Sequence, residues 1–377
     1  MKLMRLRAVA NKELLHIVRD PLTLALALVI PMILLTLFGY ALTLDVDDVP
    51  LIIWDQDETP ASRDFLSAFS ASRYFAVVGQ ARSYAELERE IDTGRALAAL
   101  VVPRGFSGKL ESGVDVPVQL IVDGSDSNTA AIAAGYAEGV VAAFSQHVAV
   151  STTERVGAAT PGVPVDFRPR VWFNTDLESR NFIIPGLIAV IMMLLSALLT
   201  SMTVAREWER GTMEQLISTP VRPAELILGK LLPYLLIGIV DVLVVVLVGE
   251  FVFDVPLRGS VVLLFASAAV FLIGALSIGL MVSVFTKNQL LANQLSMLLT
   301  YVPSILLSGF TFSVYNMPHA LQAISRFIPA TYFIRVLRGI YLKGVGLEVL
   351  GWEAGVLVAF ALAAALTAVL GFRKKIA

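Results

Sequence analysis

Six apolar runs, each long enough to cross a bilayer, leave this chain few folds to adopt: Leu22 to Leu44, Phe182 to Val204, Leu231 to Val252, Ser260 to Phe285, Leu290 to Phe312 and Val349 to Phe372. Roughly 20 helical residues at 1.5 Å rise span the ~30 Å hydrocarbon core. Inside that core a helix satisfies its own N–H and C=O groups within one segment. The runs therefore predict a polytopic α-helical membrane protein with six transmembrane helices. Pro31, Pro185, Pro233 and Pro303 fall inside them and predict kinks rather than ends, because neighbouring helices re-satisfy the freed carbonyls. Composition agrees. With 56% hydrophobic and only 16% charged residues, and a mean hydropathy of +0.76, the chain carries more apolar sequence than a soluble core needs. A formal net charge of -2 argues against a nucleic-acid partner. The lack of cysteine excludes disulfides and thiolate metal sites.

Six spans put both termini on one side, and the short flanks say which. Lys2, Arg5, Arg7, Lys12, Arg19, Arg206, Arg210, Arg222, Lys230, Lys287, Arg373, Lys374 and Lys375 lie on one side; Arg258, Arg326, Arg335, Arg338 and Lys343 lie on the other. Thirteen cations against five place both termini in the cytoplasm. Residues 1–21 precede the first span. Leu3, Leu6, Ala10, Leu14 and Ile17 recur at three- and four-residue steps with Lys2, Arg5, Lys12 and Arg19 elsewhere on the wheel, the pattern of a basic amphipathic helix in the interface. The apolar run that follows is too long for the core of a signal peptide, and Leu42 to Asp45 lacks a small-x-small cleavage site, so an uncleaved first span over residues 22–44 is expected.

Residues 45–180 have the texture of a soluble α/β domain inserted between spans 1 and 2. Strand-length runs at Leu51 to Trp54, Phe75 to Val78, Ala98 to Val102 and Val118 to Val122 are bounded by Asp, Gly and Pro. Helical periodicity marks Ala61 to Ser70, Tyr84 to Ile91 with Ser83 and Glu86 as a capping box, and Thr129 to about Val150. Alternating strands and helices predict a mixed sheet. Long segments translocate largely regardless of charge, so this domain is expected outside the cytoplasm. Thr160 to Val165 and Arg168 to Asn174 read as an extended return to the membrane, with Trp172 and Phe173 in the interface belt. Asp55, Asp57, Glu58, Asp123 and Asp126 gather near strand ends, where turn capping is the commoner use than cation binding.

Catalytic machinery is missing. Gly108-Lys109 and Gly229-Lys230 are each followed by Leu and lack a Gly five positions earlier, so no P-loop is present. His16, His147 and His319 are far apart, and neither H-E-x-x-H nor G-x-S-x-G occurs. No catalytic residue, metal ligand or cofactor of its own is expected in this chain.

Between spans 2 and 3 the sequence Arg206-Glu-Trp-Glu-Arg-Gly-Thr-Met-Glu-Gln-Leu-Ile-Ser-Thr-Pro-Val221 is polar and charged. Arg206, Glu207, Glu209, Arg210 and Glu214 alternate in sign at three- and four-residue steps, which suits a short helix presented to a partner. Gly211 permits a bend, and Thr212 and Glu214 are placed to cap the helix after it. The pattern E-x-x-x-G-T-x-E-x-L-x-x-T-P-V, followed by Gly229-Lys230 and an apolar span, resembles the first cytoplasmic loop of the membrane subunit of type-2 ATP-binding-cassette exporters. Lys12-Glu13 with Arg19-Asp20-Pro21 resembles the interfacial helix of the same permeases. Leu306 to Phe310, Asn316 to Pro318, Pro329 to Phe333 and Leu342 to Gly344 look like their last extracytoplasmic loop. The long insert resembles the subgroup with a large extracytoplasmic domain.

The resemblance implies that Glu13, Arg19, Asp20, Arg206, Glu207, Glu209, Gly211, Thr212 and Glu214 couple residues 205–230 and the N-terminal helix to a separate cytosolic ATPase, which holds the ATP and Mg. It implies a re-entrant region over 313–348 and an outer gate to which Gly309, Phe310, Pro318 and Pro329 belong. It implies a dimer, either of identical chains or with a sister chain, in the inner membrane of a bacterium, moving drugs, lipids or other amphiphilic or hydrophobic substrates, with membrane lipids and a periplasmic adaptor as further partners. Asp241, the acid nearest the middle of a span, must face the bundle interior, a cavity or a partner, either on the translocation path or in an interhelical hydrogen bond. Asn293 and Gln294 carry the same two readings. The competing class is a membrane receptor or assembly scaffold that senses a ligand through the inserted domain.

Overall fold

The computed structural model describes residues 3–41, 48–112, 114–125, 127–156 and 178–372. They form two compact units, one of Met1–Thr43 with Val171–Ala377 and one of Leu44–Arg170. The expected return segment with Trp172 and Phe173, the acid Asp126, and the terminal cations Lys2 and Arg373 to Lys375 lie outside the described residues.

The first unit begins with two helices, α1 (Leu3–Arg19) and α2 (Pro21–Ala41). The second unit then runs β1 (Val49–Asp55), α3 (Pro60–Ser70), β2 (Phe75–Gln80), α4 (Tyr84–Asp92), β3 (Ala98–Val102), α5 (Phe106–Glu111), β4 (Gln119–Val122) and α6 (Ser127–Val156). Its sheet has the order β2-β1-β3-β4. β1 pairs parallel with β2 and β3, and β4 closes antiparallel on β3. Every residue of β3 is buried, as expected of a strand covered on both faces. Leu51, Ile53, Leu100 and Val102 pack with Phe65, Phe69 and Phe106 in one cluster, while Ile52, Ala99 and Val101 join Leu87 in another, the period-2 alternation of a two-sided sheet. Two local expectations are corrected. Ser83 Oγ does accept from Glu86 N at 3.3 Å, but the Glu86 carboxylate reaches the Arg82 N–H at 2.7 Å, one residue before the cap. The helix expected from Thr129 to Val150 runs from Ser127 to Val156.

The first unit continues with α7 (Ser179–Glu209), α8 (Thr212–Ser218), α9 (Pro223–Phe251), α10 (Val261–Thr286), α11 (Gln289–Ser296), α12 (Val302–Leu306), α13 (His319–Ser325), α14 (Pro329–Arg338) and α15 (Leu347–Gly371). Among the described residues α7, α9, α10 and α15 are long and apolar enough to cross a membrane, and Ala27–Ala41 of α2 forms a shorter apolar stretch. The protein is mostly helical with several apolar helices, as a polytopic membrane protein is. Of the apolar stretch of α7, 83% is buried, against 22% for α15, which makes α7 the axis of the bundle and α15 a peripheral helix.

Small and hydroxylated residues draw α7 and α10 together, the packing mode of helices in lipid. A Cβ on Gly279 would stand 2.6 Å from Ala197 O and closer still to Thr200 Oγ1. The Thr200 hydroxyl donates across to Leu276 O at 2.9 Å, and Ser283 Oγ accepts from the Val204 and Ala205 N–H groups at 3.0 and 2.9 Å.

Pro31, Pro185 and Pro233 sit inside continuous helices. The fifth apolar run behaves differently from the continuous span expected over Leu290 to Phe312. It stays helical from Gln289 to Leu306, but a π-helical turn at Met297–Tyr301 interrupts the α pattern between α11 and α12, and the helix stops at Leu306 short of the end of the run. Pro303 has no N–H to donate and its ring displaces the preceding turn, a recognised cause of such bulges.

Candidate functional site

Helix α1 lies close against α9 because Gly229 has no side chain: a Cβ there would be 2.8 Å from Val9 Cβ and 3.1 Å from Leu6 O. That approach lowers two adjacent α1 residues onto the bundle. Lys230 Nζ, 1% exposed, donates to Glu13 Oε1 at 2.6 Å and contacts Glu207 Oε1 at 3.0 Å. Lys12 Nζ donates to the same Glu207 oxygen at 2.8 Å. Three elements thus contribute a cluster of two ammonium groups and two carboxylates, whose charges cancel; Glu13, Glu207 and Lys230 are buried, and Lys12 closes the cluster from the exposed side. Buried ions persist only when paired in this way. Glu207 Oε2 has no hydrogen-bond partner among the described residues.

Beside the cluster a cavity of about 690 Å³ opens between α1, α2, α7, α8, α9 and α11. Its lining changes character along α7. Leu195, Leu198, Leu199 and Met202 form an apolar end with Ile17 and Ile30, and Arg206, Glu207 and Arg210 then begin a charged end with Lys12, Glu13, His16, Asp20 and Lys230. Tyr234 and Asn293 also line it. The arrangement can hold an amphiphile, with its apolar body and polar head in separate surroundings.

The coupling residues expected from the sequence divide into two groups. Glu13 and Glu207, expected to face a partner, are 5% and 7% exposed and are turned into the subunit by Lys12 and Lys230. Arg19, Glu209, Arg210, Thr212 and Glu214 are exposed, and Asp20 and Arg206 are half-buried on the cavity wall. Gly211 sits in the left-handed region at φ 71° and is itself the residue before α8, so Thr212 and Glu214 do not cap that helix. The Thr212 hydroxyl instead points back to Glu207 O at 3.4 Å. Met213, fully buried with Val204, Leu226, Ile227 and Leu280, anchors α8 beneath the bundle. Glu209 accepts the Gln289 N–H at 2.9 Å and its side-chain amide, and Arg206 donates to Gln289 Oε1 at 3.4 Å, so this end of α7 is tied to α11.

Asp241 on α9 is 1% exposed and its Oδ1 has no partner among the described residues. It does not line the cavity. Asn293 does, whereas Gln294 is exposed away from it.

At the opposite end of α7, Phe310 is buried against Gly186, where a Cβ would meet its ring at 2.7 Å. Gly309 takes φ 84° and its carbonyl accepts from Arg338 Nη1 at 3.2 Å. Arg338 also donates to Phe182 O at 3.3 Å, and its guanidinium carbon lies 3.5 Å over the Phe182 ring. Pro318 precedes α13 and the buried Pro329 opens α14. Leu321, Ile324 and Phe327 are exposed, while Ile328 is buried. Sequence reasoning did not single out Lys230 and Arg338 as organising residues. Lys230 carried a signal, since it opens a long apolar run, whereas Arg338 stands between Arg335 and Lys343 and is not set apart by its neighbours.

The profile of the family described as ABC-2 family transporter protein matches residues 21–370. The chain is 38% identical over 342 residues to the "Probable multidrug ABC transporter permease YbhS" of Escherichia coli (strain K12), covering 90% of this chain and 89% of that protein. It is 31% identical over 350 residues to the "Probable multidrug ABC transporter permease YbhR" of the same organism, covering 93% of each. It is 27% identical over 332 residues to its "Inner membrane transport permease YhhJ", covering 87% of this chain and 86% of that protein. The apolar helices, the cavity between them and the match over nearly the whole length together make this chain a member of the ABC-2 family of transporter proteins.

Proposed function

We propose that this permease subunit forms the translocation path for amphiphilic or hydrophobic substrates, drugs or lipids among them, and is driven by a separate cytosolic ATP-binding-cassette ATPase. The cavity carries this reading: its apolar end lies along α7 and its charged end adjoins the Arg206 to Val221 segment. Binding and coupling elements therefore share one helix. The fold proposed in the membrane has six spans, namely α2, α7, α9, α10, the π-bulged helix of α11 and α12, and α15. α1 lies in the cytoplasmic interface, the Leu44–Arg170 unit is extracytoplasmic and both termini are in the cytoplasm of an inner membrane. Thirteen cations on one side and five on the other support that orientation.

A motor with two ATP sites needs two permease halves, so the working unit is a dimer of this chain or a pair with a sister chain. Exposed Glu214 meets the ATPase directly. Glu13 and Glu207 act behind it by tying α1 to α7 and α9. Gly309, Phe310, Pro318 and Pro329, held to α7 through Arg338 and Gly186, form the outer gate, and a periplasmic adaptor joins on that side. Asp241 is read as an interhelical residue, because it is buried away from the cavity. The test is reconstitution of the chain with its co-purifying ATPase in lipid vesicles. Candidate amphiphiles should stimulate ATP hydrolysis and cross the bilayer. A chain that binds ligand but recruits no ATPase would instead be a receptor or scaffold.

A further inference from the structure

The charges around the cavity are not equally available. Glu13 and Glu207 are buried and neutralised by Lys12 and Lys230. Arg206 is half-buried with one long contact to Gln289, and Arg210 is exposed without an ion-pair partner among the described residues. Lys12, although paired, keeps a side chain that is 42% exposed. Asp20 is the remaining acid on the wall and is half-buried. The groups that a ligand can reach therefore sum to a positive charge, next to an apolar wall. We infer that the cavity takes an amphiphile with an anionic head group, phosphate or carboxylate, held by Arg206 and Arg210, with its apolar body against Leu195, Leu198, Leu199 and Met202. Guanidinium groups suit such heads because their N–H fork matches two oxygens at once. The low-dielectric wall beside them strengthens the attraction over its value in water. This inference rests on the proposed path through the cavity and adds the chemistry of what travels there.

The experiment uses the full chain in nanodiscs of zwitterionic phosphatidylcholine. Three photoreactive probes share one diazirine-bearing alkyl chain and differ in head: phosphate, trimethylammonium and hydroxyl. After illumination the labelled peptides are identified by mass spectrometry. The expected result is labelling of the Leu195 to Met202 stretch by the alkyl phosphate about tenfold above the ammonium probe, a difference near 1.4 kcal/mol. Arg206→Gln combined with Arg210→Gln should erase the preference while leaving labelling by the alkyl alcohol. Arg335→Gln, at an exposed position of α14 outside the cavity, should change nothing. Leu198→Trp fills the apolar end and should suppress all three probes.

Equal labelling by the three heads, preference for ammonium, or a phosphate preference that survives the double arginine variant overturns the inference. If Leu198→Trp leaves labelling intact, or no probe reaches α7, the path through the cavity itself fails. Suppression by Leu198→Trp without head-group preference removes only the anionic assignment. Competition by added phosphatidylglycerol identifies a bilayer lipid as the source, and its absence identifies a soluble amphiphile. Either source upholds the anionic head.

Discussion

Glu207 shares one carboxylate oxygen between two ammonium groups, Lys12 at 2.8 Å and Lys230 at 3.0 Å, with its side chain 9% exposed. A third ammonium at that point would meet two like charges, one of them, Lys230, fully buried. Removing one partner from a buried pair costs about 3–5 kcal/mol, and reversal costs more. Glu207→Lys should therefore lower the yield of folded protein and its melting temperature in detergent. Glu214→Lys should leave both unchanged and lower co-purification of the ATPase, because that carboxylate is exposed on α8. Glu111→Lys, on an exposed position of the other unit, should do neither. A Glu207→Lys protein with unaltered yield and stability would sink the buried-cluster assignment. In the Leu44–Arg170 unit, Asp57 accepts from Ser107 N at 3.0 Å, Thr59 Oγ1 at 2.8 Å and Gly105 N at 2.7 Å. These bonds, led by the Ser107 N–H, hold its carboxyl down at about 2 from 3.8. A depressed carboxyl stabilises the fold above its unfolded value and loses that contribution as pH falls from about 4 through about 2. Hydrogen exchange at the first turn of α5 in the full chain should accelerate across that window, and Asp57→Asn should remove the dependence.

Helices α7 and α10 approach so closely that Gly279 has no room for a methyl group. Gly279→Ala should push them apart at a cost of about 1–3 kcal/mol, read as a lower melting temperature, while Gly351→Ala on α15, where a Cβ meets nothing within 4 Å, should be silent. Equal melting temperatures for the two variants would mean that this contact does not organise the bundle. Runs such as Phe182 to Val204 and Ser260 to Phe285 are legible because a spanning helix needs uninterrupted apolar sequence; α7 contains the first, and α10 contains the second after its capping Ser260. Periodicity cannot tell where such a helix stops when its continuation is polar. α7 continues through Arg206 to Glu209 because Lys12 and Gln289 satisfy that last turn from 195 and 80 residues away, with Lys230 joining at Glu207. Hydropathy alone was equally blind at the fifth run, where a π turn precedes Pro303 without any loss of apolar character.

For the whole molecule the candidate site was half legible. The charged segment Arg206 to Val221 announces itself against its apolar flanks, but which of its residues face outward depends on where α1 lands. That is fixed by one missing Cβ at Gly229 and two lysines in separate helices. Orientation across the bilayer rests on the cation asymmetry, and it has a direct test because the chain has no cysteine of its own. Ser67 and Ser112 are exposed in the Leu44–Arg170 unit, and Ser218 is exposed on α8. Moving Lys or Arg into a membrane interior costs ~2.5–3.5 kcal/mol at a helix centre, so a thirteen-to-five imbalance between the short flanks resists inversion. Single cysteines at Ser67 or Ser112 should react with a membrane-impermeant maleimide on intact cells. Cysteines at Ser218 or Arg373 should react only after the membrane is permeabilised. Labelling of Ser218→Cys from outside would invert the protein, place the α8 segment away from any cytosolic ATPase and remove the basis for coupling. Protection of both Ser67→Cys and Ser112→Cys in intact cells, despite their exposure, would put the α/β unit on the cytoplasmic side and break the six-span path.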